Sequence, residues 1–189
     1  QPTPELLAAV PGPIDGLILA SPSNPSGTMV PADALRRLVD YCAAQGIRLV
    51  SDEIYHGIAF GEAAASALDF TDDAFVVNSF SKYFCMTGWR LGWMVAPADM
   101  LRAIECLTQN FYISPPTLSQ HAAVAAFECK EELDGHVARY ARNRDVLLEA
   151  LPEAGFENLV PVDGAFYIYA DVTHISNDSE ALCRRLLAE

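Results

Sequence analysis

Lysine is almost missing from this chain. Only Lys82 and Lys130 carry that side chain, and 12 basic residues face 25 acidic ones for a formal charge of −13. So acidic a surface excludes a broad nucleic-acid face and an anchor on anionic lipid, so any anion site has to be local. The five cysteines (Cys42, Cys85, Cys106, Cys129, Cys183) are odd in number, widely spaced and contain no Cys-x-x-Cys pair. That excludes a disulfide framework and a zinc site, and predicts reduced thiols packed as small hydrophobes in a cytoplasmic protein. The four histidines (His56, His121, His136, His174) show no metal-ligand spacing. No signal-peptide pattern opens the chain and no apolar run approaches the ~20 residues of a membrane span. What is present is ample core material, with 51% apolar residues, which argues against disorder.

The rarity of lysine makes Lys82 conspicuous. It sits in Asn78-Ser79-Phe80-Ser81-Lys82-Tyr83-Phe84-Cys85-Met86-Thr87-Gly88-Trp89-Arg90-Leu91-Gly92. Two hydroxyls precede the amine and an arginine follows eight residues later. A lysine can lose its proton and attack a carbonyl, whereas an arginine stays charged, so this grouping suits a Schiff-base lysine beside a phosphate. Cys85 lies close by, but packing is the simpler role for it. Such a site also needs a carboxylate for a ring nitrogen, donors for a ring hydroxyl, and hydroxyls with an arginine for a phosphate. The chain offers these in order: Asn24 in Ser23-Asn24-Pro25-Ser26-Gly27, Asp52 and Tyr55 in Ser51-Asp52-Glu53-Ile54-Tyr55, then Ser79, Ser81, Lys82 and Arg90. Each has a plainer reading alone. Asn-Pro-Ser-Gly is ordinary turn chemistry, Asp52-Glu53 a solvated strand end, Tyr55 a packed ring and Arg90 a surface charge. Their common order is what argues against chance.

With those residues in place, the chain resembles the pyridoxal-phosphate aminotransferases of fold type I, class I/II. Asn24-Pro25-Ser26-Gly27, Asp52-Glu53-Ile54-Tyr55, Ser79-Phe80-Ser81-Lys82 and Met86-Thr87-Gly88-Trp89-Arg90-Leu91-Gly92 carry the resemblance, which extends over essentially all 189 residues. It implies that Lys82 forms the Schiff base with pyridoxal 5'-phosphate and shuttles the proton, and that Asp52 pairs with the pyridine nitrogen. Asn24 and Tyr55 would bond the ring hydroxyl, and Ser79 and Arg90 the phosphate, with Ser81 alongside. It implies amino-acid and 2-keto-acid substrates and a homodimer.

The pattern of the chain fits an α/β fold. Apolar runs at Gly16–Ala20, Ile47–Ser51 and Ala74–Asn78 read as buried parallel strands, the first two joined by a helix opening at Pro31 with an inward stripe of Leu35, Leu38, Val39 and Cys42. Asn24, Asp52 and Lys82 each follow a strand's carboxyl end, where open α/β sheets bind ligands. Gly92–Ala96 reads as a further strand. Helices follow from Pro97 to about Gln109, Thr117 to Phe127 and Glu131 to Leu151, and then a strand of a different unit at Gly164–Val172. The family resemblance places the C-terminal half of the large domain at residues 1–133 and a linking helix with an incomplete α+β small domain at 134–189. Both ends read as cut, and a fragment of half the family's length is expected to be inactive by itself. Two other functions share the same residues: a β-eliminating lyase of the same fold, and a cofactor-sensing domain of a transcription regulator.

Overall fold

The computed structural model describes residues 1–189 throughout. A short helix α1 (Pro4–Ala8), capped by the Thr3 hydroxyl, precedes β1 (Gly16–Ala20). Helix α2 (Ala32–Gln45) follows, with Pro31 just outside its first turn and Gly46 closing it at φ 69°. The stripe anticipated from the sequence is the buried one, Leu35, Leu38, Val39 and Cys42. Strands β2 (Arg48–Asp52), β3 (Ala74–Ser79) and β4 (Gly92–Val95) complete a sheet of order β1-β2-β3-β4. The first two pairings are parallel and the last is antiparallel.

Alternation along these strands decides what is buried. Leu19, Leu49, Ala74 and Val76 point to the face covered by α2, where Leu35 and Leu38 are fully enclosed. Each such leucine contributes about 1.5–3 kcal/mol of burial. The opposite face differs from the expectation of strands buried on both sides. Ile18 is 78% exposed, because no helix of these 189 residues covers that face at β1.

Helices α3 (Leu101–Phe111), α4 (Thr117–Ala126) and α5 (Lys130–Glu153) come next, and Asp134 lies one turn inside α5. A small second sheet pairs β5 (Asn158–Leu159) with β6 (Ala170–Asp171), and α6 (Ser179–Ala188) ends the chain. The anticipated strand over Gly164–Val172 is therefore mostly absent. Its first half packs back on the parallel sheet's loops: Gly164 and Ala165 donate to the carbonyls of Gly27 and Ile58 at 2.9 Å each. The thiols also depart from expectation. Cys42 alone is buried, and the other four are exposed, Cys85 and Cys129 between elements and Cys106 and Cys183 on α3 and α6. No helix is long and apolar enough to cross a membrane.

Candidate functional site

The parallel order of β1, β2 and β3 puts their carboxyl ends side by side, and the register aligns Ala20 with Asp52 and Asp52 with Val77. The Asn24 turn, Asp52 and the Ser79–Lys82 loop therefore open on one edge. Asp52 ends β2 half-buried, and its Oδ1 accepts the Ile54 N–H at 3.1 Å, which fixes the carboxylate and leaves its second oxygen free. Tyr55 follows one turn later, 3% exposed. Burial, then the Tyr167 hydroxyl, then the Asp52 charge hold its phenol well above the ordinary tyrosine range, while the nearby Asn24 amide opposes them. Lys82 Nζ lies 5.5 Å from the centre of the Tyr55 ring and 5.9 Å from that of Phe166. Asn24, Asp52, Tyr55 and Lys82 thus share one neighbourhood.

The two serines and Arg90 form its other end. Ser79 Oγ accepts the Ser81 N–H at 3.0 Å and lies 2.9 Å from Ser81 Oγ and 3.1 Å from the Leu91 carbonyl. The Thr87 hydroxyl donates to the Ser81 carbonyl at 2.6 Å, and Arg90, in the left-handed region at φ 53°, donates to the Thr87 carbonyl at 3.0 Å. Six other basic side chains pair with carboxylates, among them Arg37, Arg48 and Lys130. Lys82 and Arg90 do not, and neither do Arg36, Arg139, Arg142 and Arg185. In so acidic a chain, that keeps the Lys82 amine and the Arg90 guanidinium available to something else.

A buried network supports the edge from behind. Glu53 is 3% exposed, and its Oε1 accepts from Ser51 Oγ at 2.9 Å, Ser66 Oγ at 3.1 Å and the Ala67 N–H at 2.9 Å. Its Oε2 faces His56 Nδ1 at 3.4 Å. His56 Nε2 lies 3.1 Å from the Ser21 carbonyl, which can only accept, so that nitrogen carries the hydrogen. The turns after β1 and β2 are tied together by this imidazole.

The chain matches the family described as aminotransferase class I and II over residues 4–189. It is 49% identical to the valine–pyruvate aminotransferase of Mycobacterium tuberculosis, covering 100% of this chain and 50% of that one. With an arginine–pyruvate transaminase of Pseudomonas aeruginosa the identity is 35%, over 90% of this chain and 44% of the other. A crystal structure of an aminotransferase from M. tuberculosis superposes with a TM-score of 0.97 at 49% identity, covering all of this chain and 50% of that one. Aspartate aminotransferase from Thermus thermophilus with maleate gives 0.87 at 33% identity, over 99% of this chain and 50% of its own.

The chain belongs to the class I and II aminotransferases. Its α/β architecture, with a mostly parallel sheet and flanking helices, is that of fold type I. It spans about half the length of the aminotransferases it matches.

Two residues of the neighbourhood escaped the sequence reading. Phe166 lies 5.4 Å from Tyr55, ring centre to ring centre, and the Tyr167 hydroxyl is 2.5 Å from the Tyr55 hydroxyl. They arrive on the segment read as a strand of another unit. Gly164 was the available signal, since a Cβ there would sit 2.7 Å from the Ile58 carbonyl. A glycine before two aromatics marks a close backbone approach. Behind the aromatic pair opens a cleft of about 350 Å³ lined by Phe60, Tyr140, Leu147 and Val162 among others. It contains none of the residues anticipated from sequence.

Proposed function

We propose that this chain carries the cofactor-attaching part of a pyridoxal-phosphate-dependent aminotransferase, which moves an amino group from an amino acid to a 2-keto acid. The observation that carries the reading is the unpaired Lys82 amine above the Tyr55 ring, at the sheet edge that also holds Asp52. The donor set fits the cofactor. Asp52 has one carboxylate oxygen fixed and one free for a protonated ring nitrogen. Tyr55 and Asn24 stand together where a ring hydroxyl would be bonded. Ser79, Ser81 and Arg90 gather hydroxyls and a guanidinium with no competing carboxylate, which suits a phosphate.

Pyridoxal phosphate, when bound, supplies a ring that accepts the electrons left as an amino acid loses its α-proton. Lys82 Nζ would attach the cofactor and, when free of it, would take up and return that proton. Asp52 would keep the ring nitrogen protonated, Tyr55 would donate to the ring oxygen, and the serines with Arg90 would hold the phosphate. We place the division between the large domain and an incomplete small one near Asp134, as 1–133 and 134–189, which the separate β5–β6 sheet after α5 supports. Turnover then requires the relatives' full length, and the unpartnered apolar residues on β4 and α3 support a homodimer. A cytoplasmic setting agrees with five unpaired cysteines.

The test is an absorbance titration with pyridoxal phosphate, then borohydride reduction and peptide mapping. Label is expected on Lys82 and nowhere in Lys82→Ala. In the full-length protein, Asp52→Ala is expected to keep the label and lose at least about a hundredfold in turnover. Label on Lys130, or turnover within a few-fold of wild type in Asp52→Ala, would count against these roles.

A further inference from the structure

The hydroxyl of Tyr167 is bonded to the hydroxyl of Tyr55 across 112 positions of sequence, at 2.5 Å. This contact is built rather than incidental. The segment before it is clasped at several points: Asp163 and Gly164 donate to the Gly27 carbonyl, Ala165 donates to Ile58, and Phe60 donates to Asp163. The Asp163 carboxylate also accepts the Met29 N–H at 3.1 Å. Both turns flanking the neighbourhood, the one carrying Asn24 and the one after Tyr55, are thereby fastened to the backbone that carries Tyr167. The Tyr55 and Tyr167 rings then meet edge to face, 5.7 Å apart.

Only one hydrogen can lie between two phenol oxygens. When Tyr55 donates, Tyr167 accepts. When Tyr167 donates, the Tyr55 hydrogen is free to point elsewhere while its oxygen stays held. Tyr55 is buried and has no water to replace a lost partner, whereas Tyr167 is half-buried and can turn its hydrogen.

We propose that Tyr167 is a positioning residue for Tyr55, and that the two hydroxyls form a reversible relay: Tyr55 donates to Tyr167 in the empty site, and Tyr167 donates to Tyr55 once Tyr55 donates to the cofactor's ring oxygen. The proposal rests on the reading of Tyr55 as the ring-oxygen donor. Its physical content is twofold. The relay removes the penalty of an unpaired buried hydroxyl in the empty site, and a donor behind Tyr55 makes Tyr55 the stronger donor in the filled one.

Tyr167→Phe keeps the ring and deletes the relay. Donation to the ring oxygen favours the form in which that oxygen is negative and the attached lysine nitrogen has lost its proton. Losing that donation moves the pH midpoint of the visible cofactor band upward. In the pyridoxal-phosphate-loaded full-length protein, Tyr167→Phe is expected to raise the midpoint by about half a pH unit or more, and Tyr55→Phe by more still. The double variant is expected to match Tyr55→Phe alone, because Tyr167 acts only through Tyr55. An unchanged midpoint in Tyr167→Phe, or an equal rise in the Tyr55→Phe background, overturns the proposal. If wild type takes no label at Lys82, the functional reading fails separately. The hydroxyl pair is then judged in the cofactor-free protein by NMR of Cζ-labelled tyrosine, with Tyr55 assigned through Tyr55→Phe. A shifted Tyr55 titration in Tyr167→Phe supports the coupling, and an unchanged titration overturns it.

Discussion

Adjacent carboxylates at the end of β2 do opposite jobs. Asp52 looks toward Lys82's side of the sheet edge, while Glu53 turns inward and gathers three donors on a single oxygen. Removing Glu53 leaves those donors buried without an acceptor, each a loss of about 1–3 kcal/mol that only partly adds. Glu53→Ala is expected to lower stability by about 3 kcal/mol, read as a reduced urea midpoint at unchanged slope. Glu53→Gln retains an acceptor oxygen and is expected to lose less than half as much. A Glu53→Ala protein as stable as wild type would show that the network holds nothing. This pair also marks where sequence legibility stops at the scale of residues. Lys82 stands out through scarcity and Asp52 through its place after an apolar run, but taken alone Asp52-Glu53 reads better as a plain solvated strand end, and only the common order of the motifs outweighs that. Which of two neighbouring acids turns inward depends on Ser66 and Ala67, which are distant in sequence. Tyr167 was illegible for the same reason: its partner lies 112 positions away.

Between elements, the Lys82 loop is gripped from two directions. On one side Gly57, at φ +90°, lies under the Tyr83 ring, and a Cβ there would come within 2.6 Å of it. On the other, the Tyr83 hydroxyl donates to Asp134 of α5 at 2.6 Å. Gly57→Ala therefore displaces the residue beside Lys82, and cofactor capture measured by borohydride labelling is expected to fall about tenfold or more. Unchanged labelling would mean that the loop position is set elsewhere. The Tyr83–Asp134 bond has a pH signature. Burial first, and then the Asp134 carboxylate, push the phenol from 10.0 up to about 12. A folded-state value above the unfolded one stabilises fully below the unfolded value and is lost as pH rises through the folded one. Stability should thus fall between about pH 10 and 12, and Tyr83→Phe should fall less steeply there in denaturant titrations. Helices and parallel strands were readable because their apolar periods are local. The segment after α5 was not, because Gly164–Tyr167 is held by loops of the first sheet rather than by its own pattern.

At the scale of the whole molecule, two forces oppose each other. The formal charge of −13 keeps copies apart. Against it stands apolar surface that these 189 residues leave uncovered: Trp93, Met94 and Val95 along β4, and α3, which buries no residue at all. Leu107 and Phe111 lie four apart on one side of α3, 55% and 79% exposed. Salt separates the two forces, since it screens repulsion and does not weaken apolar association. The Debye length falls from about 30 Å at 0.01 M to about 3 Å at 1 M. The average mass of this chain, followed by light scattering, is therefore expected to rise with salt over that range. Leu107→Glu with Phe111→Glu should hold it near the monomer, because a carboxylate buried in such a contact costs several kcal/mol. A mass that falls with salt would assign the association to charge pairs instead. A monomer at every salt concentration would mean that the acidic surface alone outweighs the uncovered apolar face.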